Sequence, residues 1–151
     1  MRLLALALAL MPAAAEALSC LPPNPARELD AAFRDGHDPR LLIGRLTTPF
    51  DNESGTYRFE GRVVGHGVSV QRLSSAIEVS ASCVDEWCGK LPRRPVEGLF
   101  VSIHPEGGLK LTLGPCGTGR YQMPSEAQLR ALEACVEAQG CPAETIEAFE
   151  D

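Results

Sequence analysis

Six cysteines, Cys20, Cys83, Cys88, Cys116, Cys135 and Cys141, constrain this chain of 151 residues more than any other feature. An even set suits disulfide pairing, and pairs of that kind persist in an oxidising compartment. The amino terminus points to such a compartment. Met1-Arg2, an apolar run over residues 3–11 and the small residues Ala13, Ala14, Ala15 and Ala17 supply the basic, apolar and small-residue regions of a secretory signal. A membrane span needs about 20 apolar residues, so the run is too short to be one. Cleavage after Ala17 uses Ala15 and Ala17 as the small residues and leaves Leu18 first; cleavage after Ser19 uses Ala17 and Ser19. Ala17-Leu18-Ser19-Cys20 loosely resembles a lipoprotein box, but Ala17 is a poor match at its first position, and no lipid anchor on Cys20 is expected. The expectation is a signal peptide at 1–17, one domain at 18–141 and an acidic tail at 142–151, in a periplasmic or secreted protein.

The formal net charge is −6, and the chain has neither a basic stripe nor an aromatic-rich platform, so nucleic acid is not expected as a partner. Arg93-Arg94 reads as a solvated pair in a proline-flanked loop. Cys83/Cys88 and Cys135/Cys141 are spaced too widely for zinc knuckles and lack neighbouring histidines, so neither metal nor cofactor is expected. An active site needs a nucleophile, a base and an orienting group brought together. His37 belongs to the turn-like Gly36-His37-Asp38-Pro39. His66, between Gly65 and Gly67, and His104, before Pro105, are the two candidates for a base in a small envelope hydrolase. No Gly-x-Ser-x-Gly elbow, phosphate loop or paired-histidine helix accompanies them, and paired cysteines offer no thiolate. A non-enzymatic chain is the expectation, with the hydrolase as its alternative.

The prolines at 22, 23 and 25 make the segment after Cys20 an extended arm, and Pro25 suits the first turn of a helix over 26–34 that packs Leu29 and Phe33 inward. A mostly apolar strand follows over 41–47. Asn52-Glu53-Ser54 is a glycosylation sequon by pattern, of a kind that often arises by accident. Residues 56–70 read as one long strand whose glycines at 61, 65 and 67 mark bulges or coiling, and 73–82 as another. Leu99, Val101 and Ile103 alternate with Phe100 and Ser102, and Leu109, Leu111 and Leu113 alternate with Lys110 and Thr112. With Gly107-Gly108 between them, the two runs predict a β-hairpin ending at Cys116. A helix over 125–138, capped by Ser125 and stopped by Gly140, and one helical turn through Ile146 and Phe149 complete the chain. Five or six strands without βαβ alternation predict a mainly β fold, a small Greek-key OB-like barrel with a short amino-terminal helix and a carboxy-terminal packing helix.

Cys20 followed by prolines and a helix ending Ala32-Phe33, Gly44-Arg45-Leu46, Trp87-Cys88-Gly89, and residues 108–113 before Cys116 together resemble the netrin-like, or tissue-inhibitor-of-metalloproteinases-like, OB domain. The resemblance implies that Cys20 pairs with Cys116. The family's first cysteine falls on Leu18, a departure that leaves Cys88 without its family partner and implies Cys83–Cys88, with Cys135–Cys141 remaining. Family inhibitors bind a protease's zinc through the amine and carbonyl of that first cysteine, held rigid by its bridge. With Leu18 there instead, an unbridged terminus is less pre-organised. The resemblance thus implies a secreted or periplasmic protein-binding module, in its narrower form a protease inhibitor. Its contacts are expected from Leu18, Ser19, Cys20 and Leu21 on the arm and from the loop carrying Trp87. Trp87 is the candidate anchor, although a tryptophan buried at the barrel end is the more conservative reading.

Overall fold

The computed structural model describes residues 20–47, 55–103 and 109–150. The expected signal segment, Leu18, Ser19, the sequon and His104 with the turn after it lie outside the described residues. The strands are β1 (Arg40–Thr47), β2 (Thr56–Gly65), β3 (Val68–Ala81), β4 (Cys83–Val84), β5 (Trp87–Cys88), β6 (Val96–Ser102), β7 (Lys110–Leu113) and β8 (Arg120–Tyr121). Six of them form one sheet in the order β7-β3-β2-β1-β6-β8, and β4 and β5 pair only with each other. Every neighbouring pair is antiparallel except β3 with β7. A first strand held between β2 and β6, with a parallel closure at β7, is the route of a nearly closed OB-like barrel.

Glycines let the sheet coil that tightly. Gly44 of β1 stands opposite Gly61 of β2 and Gly98 of β6. A Cβ on Gly44 would lie 2.7 Å from the Gly61 Cα, so the backbones approach where side chains would hold them apart. A register shift between Gly61 and Val63 adds the bulge expected near Gly61. Gly65 and Gly67 do something else. His66-Gly67 forms a turn, with Gly67 at φ +63°, so the single strand read over 56–70 is two strands and β3 already begins at Val68.

The predicted hairpin is also corrected. Among the described residues no ladder joins β6 to β7: β6 lies between β1 and β8, and β7 runs parallel to β3. Among the described residues the Ser102 hydroxyl, donating to the Lys110 carbonyl, is the hydrogen bond between the two arms. Nor does β6 have one apolar and one polar face. Phe100 enters the barrel interior with Leu42, Phe59 and Leu111, while Leu99 and Val101 are buried on the outer face.

Two helices cover that outer face. Helix α1 (Pro25–Arg34) has Asn24 as its cap, accepting from the Arg27 N–H, and buries Leu29 completely. Helix α2 (Glu126–Ala138) begins with a reciprocal Ser125/Gln128 capping box and buries Leu132 and Val136. Its left-handed end residue is Gln139, at φ 56°, not Gly140. Helix α3 (Ala143–Glu147) is the short turn expected in the tail, and the Asn24 amide donates to its Ile146 carbonyl. The bridges are Cys20–Cys116, Cys83–Cys88 and Cys135–Cys141, the same pairs that the resemblance implied. Among the described residues no helix is long and apolar enough to cross a membrane.

Candidate functional site

The site is assembled by two of the bridges. Cys83 stands opposite Cys88 and Val84 opposite Trp87 in a minute hairpin whose turn places Asp85 at φ 52°. So short a ribbon has no room to bury its side chains, and Trp87 is 56% exposed. The barrel-end burial considered for Trp87 is not what the structure shows. The other bridge fixes the proline-rich arm. Cys20 is joined across 96 residues to Cys116, which itself adopts a left-handed φ of 64° between Pro115 and Gly117. A non-glycine residue there is uncommon, and the bridged turn holds it in place.

Between these two bridged features opens a cleft of about 820 Å³. Cys20 and Pro23 form one wall, Trp87 and Lys90 another, and Gln122 and Met123, leaving β8, a third. The apolar groups left in solvent gather here. Leu21 (70% exposed), Val84, Trp87 and Met123 are four of the five large hydrophobic residues exposed among the described residues, and each lines the cleft or adjoins or pairs with a residue that does. The fifth, Val68, follows the β2–β3 turn. Scattered exposed hydrophobics are ordinary, whereas a clustered patch beside a cleft marks an interaction surface. Lys90, Glu97 and Arg120 also line the cleft, and none belongs to an ion pair among the described residues.

Tyr121, a buried residue, underlies the cleft lining. Its hydroxyl donates to Oε2 of Glu28 on α1, and the Gly119 N–H donates to the same oxygen at 3.1 Å. Burial pushes the Glu28 carboxyl up from its ordinary 4.5 to about 7, with the Gly119 hydrogen bond acting the other way. Tyr121 is therefore fastened to α1 by a carboxyl close to its titration point at neutral pH.

Of the residues anticipated from sequence, Cys20 and Trp87 line this cleft, Leu21 stands exposed next to Cys20 in the chain, and Leu18 and Ser19 are outside the described residues. His66 is not part of it. The residue sits in a turn and not within a strand, with its Nδ1 3.2 Å from the Glu137 carbonyl of α2, and no serine or carboxylate side chain is bonded to it among the described residues. His104 cannot be placed, being outside those residues. A smaller cavity of about 360 Å³ beside that turn is lined by Arg62, Ser69, Gln71 and Glu133, and Arg62 is already paired with Glu133 at 2.6 Å. Among the described residues no group of three His, Cys, Asp or Glu side chains is arranged to hold a metal. Sequence reasoning missed Lys90, Arg120 and Met123. The one signal for them was Met123-Pro124, an apolar residue in a polar stretch just before a helix cap. No family model, curated protein or solved structure matches this chain.

Proposed function

We propose that this chain is a secreted protein-binding module whose partner docks in the cleft between Cys20, Trp87 and Met123. The observation that carries this reading is that Trp87 and Met123, both about half exposed, line one concavity, with the exposed Leu21 and Val84 next to the lining residues Cys20 and Trp87. Tryptophan and methionine are enriched at protein interfaces, and a concave apolar centre with a charged margin, here Lys90, Glu97 and Arg120, is how such interfaces are built. Export is part of the proposal, supported by the signal pattern over 1–17 and by three disulfides. The narrower form, inhibition of a metalloprotease, rests on the netrin-like resemblance of the bridged arm alone.

The test uses the full chain immobilised beside two variants, Trp87→Ser in the cleft and Val68→Ser far from it in the sheet. Extracellular fluid of the source cells is passed over each. A protein retained by the parent and by Val68→Ser but reduced by roughly tenfold with Trp87→Ser is the expected result. Equal retention by all three overturns the assignment of the cleft. Metalloproteases of the same fluid, assayed with saturating pure protein, address the narrower form: undiminished proteolysis removes inhibition and leaves binding.

A further inference from the structure

We propose that the cleft receives an extended, carboxylate-bearing segment of the partner as an added strand on the open edge of β8, an inference that rests on the cleft being the protein-binding site. The register of β8 carries it. The Val101 N–H donates to the Gly119 carbonyl at 3.2 Å, and Leu99 and Phe100 stand opposite Tyr121 and Arg120. In an antiparallel ladder, pairs that exchange hydrogen bonds alternate with pairs that do not. Gly119 and Tyr121 therefore belong to the side facing β6, whereas Arg120, and Gln122 one step further, turn their N–H and C=O groups the other way. β8 is the last strand of the sheet, so among the described residues no strand meets those groups.

One outward group is used. The Thr118 carbonyl accepts from the Gly114 N–H at 3.1 Å, where the chain leaving β7 comes against this edge and nearly closes the barrel. The cleft adjoins that contact and is lined both by Leu113 and Gly114, from the chain leaving β7, and by Arg120 and Gln122. Among the described residues no hydrogen bond outside the β6 ladder involves the backbone of Arg120 or Gln122. An unpaired edge is a template for another strand, and an extended segment would complete the closure that Gly114 and Thr118 begin. Side chains of such a segment alternate in direction, so one set reaches Trp87 and Met123. Charge selects its composition. Lys90, Arg120 and Glu97 line the cleft, two cations and one anion, on a chain whose net charge is −6. A carboxylate on the added segment satisfies the unpaired Arg120.

The probe is a library of blocked peptides of about eight residues, the length of an ordinary strand, alternating apolar and polar positions around a central aspartate. Binding to the full chain is followed by titration, and amide hydrogen exchange is read by NMR. The best peptide should slow exchange at the Arg120 and Gln122 amides by roughly tenfold or more, because those N–H groups become bonded. N-methylating one alternate set of its amides should weaken binding by roughly tenfold, and N-methylating the other set should change it less than about twofold. Gln122→Pro, which removes an outward N–H and leaves the β6 ladder intact, should weaken binding as the first set does, while Gln122→Ala should not. Failure of every library peptide to bind, or equal effects of both N-methyl sets, overturns the proposal. Protection that rises with protein concentration in the absence of peptide overturns it in favour of a second copy at the edge. A partner captured through Trp87 that leaves the Arg120 and Gln122 amides unprotected overturns the added strand and preserves the cleft as a binding site.

Discussion

The two faces of β6 are covered by different means. Inside the barrel, Phe100 meets Phe59 edge to face with ring centroids 6.4 Å apart, and the same cluster holds Tyr57 and aliphatic residues such as Leu42, Ile77 and Leu111. Outside, Leu99 and Val101 meet Leu29, Leu132 and Val136, but polar atoms and bridges set the margins of that layer. Glu28 accepts from Gly119 and Tyr121, Asn24 holds Ile146, and the Asp30 carboxylate accepts from the Cys141 N–H at 3.2 Å. The interior is governed by volume, the outer layer by groups that titrate or can be reduced. The cleft opens where the outer layer ends, so the face proposed for binding is the one whose joints respond to solvent conditions.

Phe100→Ala is the most severe way to break this comparison. It removes a fully buried ring from the closed interior and should cost about 3–5 kcal/mol in urea unfolding. A loss below about 1 kcal/mol would mean that the interior relaxes around the gap as readily as a loosely covered surface does. The second effect belongs to the outer layer. Replacing Cys20 and Cys116 together by serine releases a closure of 96 residues and should cost about 2–4 kcal/mol. The same change at Cys83/Cys88, or at Cys135/Cys141, opens separations of only 5 and 6 residues and should cost less. An equal loss at all three bridges would remove the special standing of the amino-terminal arm.

Much of this architecture could be read from local pattern, and the failures have definite causes. α1 and α2 were legible because Pro25 and Ser125 are local end signals whose effect does not depend on the rest of the fold. The bulge at Gly61 was legible too, but the same glycine logic failed at Gly65 and Gly67, since a bulge and a turn ask for the same backbone freedom. Phe100 was placed with the polar alternates of β6 because alternation assumes one wet face, and only the tertiary fold puts helices over one side and barrel over the other. The hairpin failed for a related reason: neighbouring apolar strands imply pairing, yet each arm finds its ladder with a distant strand, β1 or β3. At the site, Cys20 and Trp87 were accessible through the netrin-like resemblance that they help to carry. Arg120 and Met123 were not, because their importance lies in an unpaired edge that exists only once β8 has docked on β6.

The smallest expected effect sharpens the comparison most directly, because it separates the two layers by pH alone. Burial raises the Glu28 carboxyl from 4.5 to about 7 in the folded protein, so the folded state holds this proton more tightly than the unfolded chain does. The consequence is opposite in sign to that of an ion-paired carboxylate. The Glu28 contribution is constant below about pH 4.5, declines as pH rises toward about 7, and is constant again above that. A shift of this size corresponds to about 3 kcal/mol, and the Tyr121 hydroxyl, which also donates to the charged form, reduces that figure. Glu28→Gln keeps the size of the side chain and an oxygen for the Gly119 N–H but cannot titrate. The stability of the parent relative to this variant should therefore fall by about 2 kcal/mol between pH 4.5 and neutrality, and parallel profiles would detach the outer layer from pH. The barrel interior offers no counterpart. Its titratable residue, Tyr57, donates its hydroxyl to the Pro92 carbonyl and is raised by burial above its ordinary 10.0, outside this range. Phe100→Ala should accordingly lower the whole pH profile without altering its shape, and a changed shape would show that the two faces of β6 are not held independently.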